Sequence, residues 1–331
     1  MTLSRLRAVL SRAPALLLAG WLLASCQTTT AGLPAYLAPI PPQLLAMIEE
    51  IGSTPLAPIY VRLFKEESTF EVWKRRADGS YALLKTYAIC AWSGLLGPKI
   101  AEGDHQAPEG FYTVTPAQLN PNSDYHLSFN IGFPNAFDRA LGRTGSNLMV
   151  HGACSSAGCY SMTDEQVEEI YALVREAFRG GQRAFEVHAF PFRMTAENMA
   201  RYHGDPNVPF WEMLKLGYDH FEVTRTVPVV GVCDFRYVFD IDTRGARLVA
   251  NEACPPYSVP DRIAAPLAAR QAAEARAYET LVAAIQAGTA TGLAPPRATV
   301  RPPVVPLIAY VAAPPAPPPQ RTAFQTFFGV P

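Results

Sequence analysis

Leu148-Met149-Val150-His151-Gly152-Ala153-Cys154-Ser155-Ser156-Ala157-Gly158-Cys159-Tyr160-Ser161-Met162-Thr163-Asp164 is the stretch on which the reading of this chain turns. Apolar residues lead into His151, as in a strand that ends on an imidazole. A run of small residues follows, and Thr163 with Gln166 then makes a capping box. Val167, Ile170, Tyr171, Val174 and Phe178 repeat at helical spacing until Gly180-Gly181 stops the helix. A strand, a tight loop and a capped helix with one face on a sheet therefore bring His151 and Cys159 into one neighbourhood.

That neighbourhood suits covalent chemistry. A thiol just ahead of a helix start, with an imidazole nearby, is expected to gain thiolate character from both. Cys159 is the candidate nucleophile and His151 its base, taking the thiol proton and delivering it to a leaving amine. The small loop residues, Gly152 and Ser156 among them, let the backbone wrap closely, so that N–H groups around Gly158 and Cys159 line an oxyanion hole. Plainer readings stand beside this one. Cys154 and Cys159 could form an ordinary disulfide, or join His151 in a zinc site, although His-x2-Cys-x4-Cys lacks a convincing fourth ligand. Cys154 could also cap Cys159 as a redox partner, in which case oxidation would lower activity and reductant restore it. No metal and no organic cofactor is expected.

Outward from this centre the pattern is mostly β. Strands are predicted at Ile59 to Phe64, Thr69 to Arg76 and Ser80 to Ile89, with Asp78-Gly79 as a hairpin turn, then at Gly110 to Val114, His126 to Ile131 and Asn147 to His151. After the capped helix come a strand at Ala184 to Phe190, short helices at Thr195 to Tyr202 and Pro209 to Leu216, and a hairpin near Val227 to Ile241. One mixed α+β, β-rich domain over residues 56–256 is the economical reading. His126 is either a substrate-orienting second imidazole or a structural strand histidine. Arg143, in a loop just before the His151 strand, is the candidate cation for a peptide carboxylate.

The ends read differently. Arg5, Arg7 and Arg12 precede an apolar run from Ala13 to Leu23, too short to span a bilayer, that stops at Leu23-Ala24-Ser25-Cys26. This resembles a bacterial lipobox, so residues 1–25 are expected to be a lipoprotein signal and Cys26 the lipidated residue, with 26–55 as a tether that offers a short helical stretch around Pro42 to Ile51. The plainer alternative is an ordinary secretory signal. Either implies export, and the resemblance to sorted lipoproteins implies that Gln27 after the cysteine favours the outer membrane. In an oxidising compartment Cys233 and Cys254, flanking a predicted strand and turn, are the pair most readily imagined as a disulfide, other pairings being open. Residues 257–331 are Ala-rich and helical in tendency to Ala287, then dense in proline and expected to be extended and largely unfolded. The formal net charge of -1 gives no electrostatic case for nucleic acid.

The central stretch, in the form His151-Gly152-x-Cys154-x-Ser156-x-Gly158-Cys159-x-x-Met162-Thr163-Asp164, resembles the YkuD-type L,D-transpeptidases, and more narrowly their YafK-like branch. Cys90-Ala91-Trp92-Ser93-Gly94, Gly97-Pro98-Lys99, Glu102 to Tyr112, Tyr125 to Asn130, Asn135 to Thr144 and Tyr218 to Phe221 agree, so the similarity covers roughly Pro58 to Asp240. The resemblance implies a YkuD-type β-sandwich with flanking helices, peptidoglycan stem peptides as substrate, and attack by Cys159 at meso-diaminopimelate. It also points to Tyr125 and Asn130 as substrate-pocket residues. Many members have His where this chain has Ala157 and Arg where it has Ser161, absences that look typical of the YafK-like branch. That branch includes an amidase that releases an outer-membrane lipoprotein from diaminopimelate, so a lipoprotein-linked substrate and hydrolysis are the alternative. A non-catalytic, peptidoglycan-binding lipoprotein is the reading from another class.

Overall fold

The structure is a computed structural model describing residues 32–290. The predicted signal, Cys26 and the proline-dense stretch from residue 291 onward lie outside the described residues. In chain order, α1 (Pro42–Glu50) precedes a meander of β1 (Ile59–Phe64), β2 (Thr69–Arg75) and β3 (Tyr81–Ala88), then β4 (Ala91–Trp92). β5 (Gly110–Val114), β6 (Leu119–Ser123), β7 (His126–Asn130), α2 (Ala136–Ala140), β8 (Met149–His151) and β9 (Tyr160–Ser161) follow. α3 (Asp164–Arg179), β10 (Phe185–Phe190), α4 (Ala196–Arg201), α5 (Val208–Thr224), the hairpin β11 (Val230–Cys233) and β12 (Arg236–Phe239), and α6 (Asp261–Gln286) complete it.

Two five-stranded sheets form, in the orders β3-β2-β1-β10-β5 and β4-β9-β8-β7-β6. β1 runs parallel to β10 and β8 parallel to β9, while the other neighbours are antiparallel. β1 is buried along its whole length, and the alternation of side chains across a strand splits it between two cores. Ile59, Val61 and Leu63 face a core shared with α3 and with Leu127, Phe129, Val150 and Tyr160 of the second sheet. Phe64 faces the opposite layer, where Phe190, Trp211, Leu214, Tyr218 and Phe239 pack. The mixed, β-rich architecture expected from the sequence is the one observed.

α3 begins as its capping box requires: Thr163 Oγ1 accepts the Gln166 N–H at 3.2 Å and Gln166 Oε1 accepts the Thr163 N–H at 3.1 Å, a device worth about 1 kcal/mol. Its apolar side supplies Val167, Ile170, Tyr171, Val174 and Phe178 to the core. Two expected boundaries move. Leu44 and Ile48 of α1 are buried in the main core, so the folded body begins inside the span read as a tether. α6 buries Ile263 and Leu267, Arg270 Nε reaches Asp219 Oδ1 of α5 at 2.7 Å, and Glu274 Oε2 accepts the Ala196 N–H at 2.7 Å. The helical part of 257–331 thus belongs to the domain.

Candidate active site

β8 carries His151 as its last residue, and the parallel register of β8 and β9, Val150 with Tyr160 and His151 with Ser161, brings the chain back beside it. Cys159, one residue before β9, therefore lies against the start of β8. The Met149 N–H reaches its Sγ at 3.4 Å, and the thiol faces the Asn147 carbonyl at 3.6 Å. Cys159 and His151 line one open cleft of about 520 Å³, with Tyr125, Ser128, Asn147 and Ser156 in its walls. Cys159 is the free cysteine among the described residues.

His151 is held by one ring nitrogen. Its Nδ1 lies 2.6 Å from the Gly152 carbonyl, which can only accept, so Nδ1 carries the proton and Nε2 keeps its lone pair. The Tyr125 ring, 4.7 Å away centre to centre, packs on the imidazole. Burial lowers the His151 pKa below its ordinary value, opposed by the Gly152 carbonyl. Burial likewise pushes the Cys159 thiol up, opposed by the Met149 N–H and by the field of Lys99. Both shifts run toward the uncharged forms, against the thiolate character expected from the sequence. α3 starts five residues beyond the thiol, with Asp164 and Glu165 in its first turn.

The loop between them is held at many points. Ser156 Oγ donates to the Cys159 carbonyl at 2.7 Å, lies 3.2 Å from Ser93 Oγ and accepts the Gly158 N–H at 3.3 Å. Gly158 sits at φ +128, where a side chain would strain the backbone. Gly152 is a packing glycine: a Cβ there would lie 2.5 Å from Asp164 Oδ1, and its N–H is engaged by the Tyr125 and Leu127 carbonyls at 3.0 and 3.2 Å. It is a loop residue without a donor to spare for an oxyanion. The neighbouring Ser93 segment is steadied by buried Lys65, whose Nζ bonds the Leu95, Gly97 and Ala107 carbonyls and Glu109 Oε1 at 2.7 to 3.1 Å.

Of the expected substrate contacts only Tyr125 reaches the cleft. His126 adopts φ +69 and turns its Nε2 to Glu168 Oε1 of α3 at 2.6 Å. Asn130 Oδ1 caps the Gly132 N–H at 2.8 Å, closing a turn. Arg143 pairs with buried Asp138 at 2.9 Å, between the rings of Phe137 and Phe210, because that carboxylate requires a counter-charge. It lines a different hollow.

Three residues of the site were given no role there by the sequence reading. Ser128 stands directly across from His151 in the β7–β8 register, is buried, and has a hydroxyl with no protein partner. The Asn147 carbonyl and Lys99, which is buried and paired with Asp104, complete the surroundings of the thiol. Ser128 and Lys99 both lie in segments that carry the family resemblance, but the pairing of β7 with β8 is what sets Ser128 across from His151.

The cysteines resolve several alternatives. Cys233 and Cys254 are bonded, and Cys154 is bonded to Cys90. That second bond removes the Cys154–Cys159 bridge, the capping role for Cys154 and the zinc set that needed its thiolate.

A thiol that is free among the described residues, beside an imidazole fixed with an open Nε2 in one cleft, is equipment for acyl transfer. The sequence pattern of the YkuD family, described as "L,D-transpeptidase catalytic domain", matches residues 71–206. The chain is 48% identical over 182 residues to "Putative L,D-transpeptidase YafK" of Escherichia coli K12, covering 55% of this chain and 74% of that protein. The YafK protein of Escherichia coli O157:H7 matches with the same figures. A crystal structure of the helical cell shape determining protein Pgp2 from Campylobacter jejuni overlaps at TM-score 0.33 and 23% identity, covering 45% of this chain and 56% of that chain. The chain belongs to the YkuD family of L,D-transpeptidase enzymes.

Proposed function

We propose that the chain is a peptidoglycan L,D-transpeptidase acting through a cysteine thioester. Cys159 Sγ attacks the carbonyl at the L-centre of a meso-diaminopimelyl residue in a stem peptide, while His151 Nε2 takes the thiol proton. The amide to the following residue breaks, His151 returns the proton to the leaving amine, and an incoming amine resolves the thioester. The observation that carries this reading is the Nδ1 bond of His151 to the Gly152 carbonyl, which leaves a basic nitrogen in the cleft that holds the lone thiol. Burial disfavours charge on both groups, which favours proton transfer together with carbon–sulfur bond formation.

Water in place of the amine would make the same site an amidase, freeing cross-links or a lipoprotein attached at diaminopimelate. The basic, apolar and Leu23-to-Cys26 pattern of the first residues supports export and a lipid anchor at Cys26, with the periplasmic face of the outer membrane favoured. Such a tether would hold the cleft beside its polymeric substrate. Mass spectrometry of digested sacculi, with and without attached lipoprotein, tests the activity using wild type against Cys159→Ala. New cross-links between diaminopimelyl residues establish the transpeptidase, and release of lipoprotein with restored tripeptide ends establishes the amidase. Identical products from wild type and variant would leave a peptidoglycan-binding module.

A further inference from the structure

We infer that Cys90 and Cys154 are positioning residues for the thioester chemistry, their disulfide holding the nucleophile loop in its working shape, so that the enzyme acts in its oxidised form. This rests on the proposed role of Cys159.

The first part of the loop is held in an unfavourable backbone shape. Ala153 and Cys154 sit one after the other in the left-handed region, at φ +64 and +46, unfavourable for residues with a Cβ. Their N–H groups are taken by Asp164 Oδ1 at 2.8 Å and the Met162 carbonyl at 3.2 Å, both on the far side of the loop. On the near side the covalent hold is the bond from Cys154 to Cys90, and Cys90 is itself fixed by donating its N–H to the Ser161 carbonyl at 2.8 Å. Three residues beyond Cys90, Ser93 Oγ meets Ser156 Oγ at 3.2 Å. The disulfide and this hydroxyl pair are two parallel ties from one segment to one loop.

The second tie leads to the nucleophile. Ser156 Oγ is spending its proton on the Cys159 carbonyl at 2.7 Å, so Ser93 must be the donor between the two hydroxyls. Without the disulfide, residues 153 and 154 relax toward ordinary backbone angles, Ser156 loses its register with Ser93, and the peptide that aims Cys159 Sγ turns. A displacement near 1 Å at a reacting atom can cost on the order of 100-fold in rate. The two disulfides also differ in access. Cys90 and Cys154 are exposed, whereas Cys233 is completely buried. The active-site bond is the one a reductant in solution meets.

The test compares the full chain with Cys90→Ala/Cys154→Ala, a double variant that leaves no stray thiol beside Cys159, and with Cys233→Ala/Cys254→Ala as a control. Stem-peptide turnover, the rate of Cys159 alkylation by iodoacetamide across pH, and Tm are read for each. The expected result is a kcat lower by about 10- to 100-fold, a KM nearly unchanged and a displaced alkylation profile in the first variant, with only Tm lowered in the control. Unchanged kcat and alkylation in a folded Cys90→Ala/Cys154→Ala would make the bond a plain staple and overturn the inference. Should that variant not fold, wild type is titrated with a trialkylphosphine, oxidised to its oxide as water supplies oxygen and the two thiol hydrogens. Turnover must then fall in step with loss of the Cys90–Cys154 bond followed by mass, and full turnover in the reduced protein overturns the inference equally. Cys159→Ala is run alongside: if it turns over normally, the nucleophile assignment fails and takes the inference with it, whereas a dead Cys159→Ala beside a fully active reduced enzyme overturns the inference alone.

Discussion

Two hollows of this domain invite comparison. One, of about 920 Å³, lies where Phe137, Phe210, Phe239 and Leu267 leave a gap between α2, α5, β12 and α6. The other, of about 520 Å³, opens at Cys159. In the walls of the larger, Arg143 pairs with Asp138 at 2.9 Å and His220 Nδ1 meets Asp240 at 2.9 Å, while Glu212, Asp234 and Arg236 add charge but no nucleophile. Its cysteine, Cys254, is in a disulfide. The smaller holds a free thiol, an imidazole with an open nitrogen and a buried hydroxyl without a partner. Volume reports how imperfectly layers meet, whereas polar capacity left unused inside a fold marks where a ligand is to complete it.

The comparison breaks at once if the smaller cleft does no chemistry. His151→Ala is expected to lower kcat by about 100- to 10,000-fold, the usual contribution of a positioned base, with Tm little changed. In wild type the sign of the pH dependence follows from the buried imidazole. Its pKa lies below the ordinary value of about 6.5, so kcat/KM should hold through that pH and decline only under more acidic conditions as Nε2 is protonated. The same shift bears on stability. The unfolded chain takes up this proton before the folded one does, so the contribution of His151 is complete above about pH 6.5 and is lost as pH falls through the folded value. A kcat/KM profile whose acid limb lies clearly above that pH would contradict the assignment of a buried neutral base.

A smaller effect sharpens the contrast. Ser128→Ala removes a hydroxyl that gains nothing in the resting protein, where an unmet buried polar group costs about 1 to 3 kcal/mol. Tm should therefore stay level or rise. If substrate supplies the missing partner, kcat/KM falls by roughly tenfold at most, the worth of one neutral hydrogen bond. Steady-state kinetics on a stem peptide beside thermal unfolding would reveal that opposition. A fall in both would mean the hydroxyl serves the fold instead.

What could be read beforehand follows the range of the forces involved. β1, β2 and α3 were placed within a residue or so, because alternation and a capping box are local signals. β4 and β9 are two residues each and exist only through pairing with each other and with β8, which no local pattern declares. β6 carries Asn120-Pro121-Asn122, a turn-like composition that a strand tolerates at a sheet edge. α5 runs to Thr224 rather than stopping near Leu216, since Asp219 and His220 look polar but are buried by pairing with Lys215, Arg270 and Asp240. The same division holds in the site. His151 and Cys159 lie in one short stretch and were legible together, while Ser128 and Lys99 arrive from other elements. The capping role for Cys154 failed because its partner, Cys90, lies 64 residues away in sequence.

Arg143 shows how a plausible local reading loses to a nearby charge. Its loop position before β8 suggested a cation for a substrate carboxylate, yet Asp138, at the start of the same turn and fully buried, claims it first. Arg143→Ala should therefore leave kcat/KM within about twofold while lowering stability by roughly 3 kcal/mol, the order of cost when one member of a buried pair is removed. Asp138→Asn/Arg143→Met, which removes both charges, should recover much of that loss, because the isolated carboxylate and not the missing contact is the main cost. Urea unfolding of the wild type and the two variants measures this, with stem-peptide turnover read on the same preparations. A large fall in kcat/KM for Arg143→Ala at unchanged stability would show that the guanidinium leaves Asp138 to serve the cleft, and the separation between the two hollows would no longer stand.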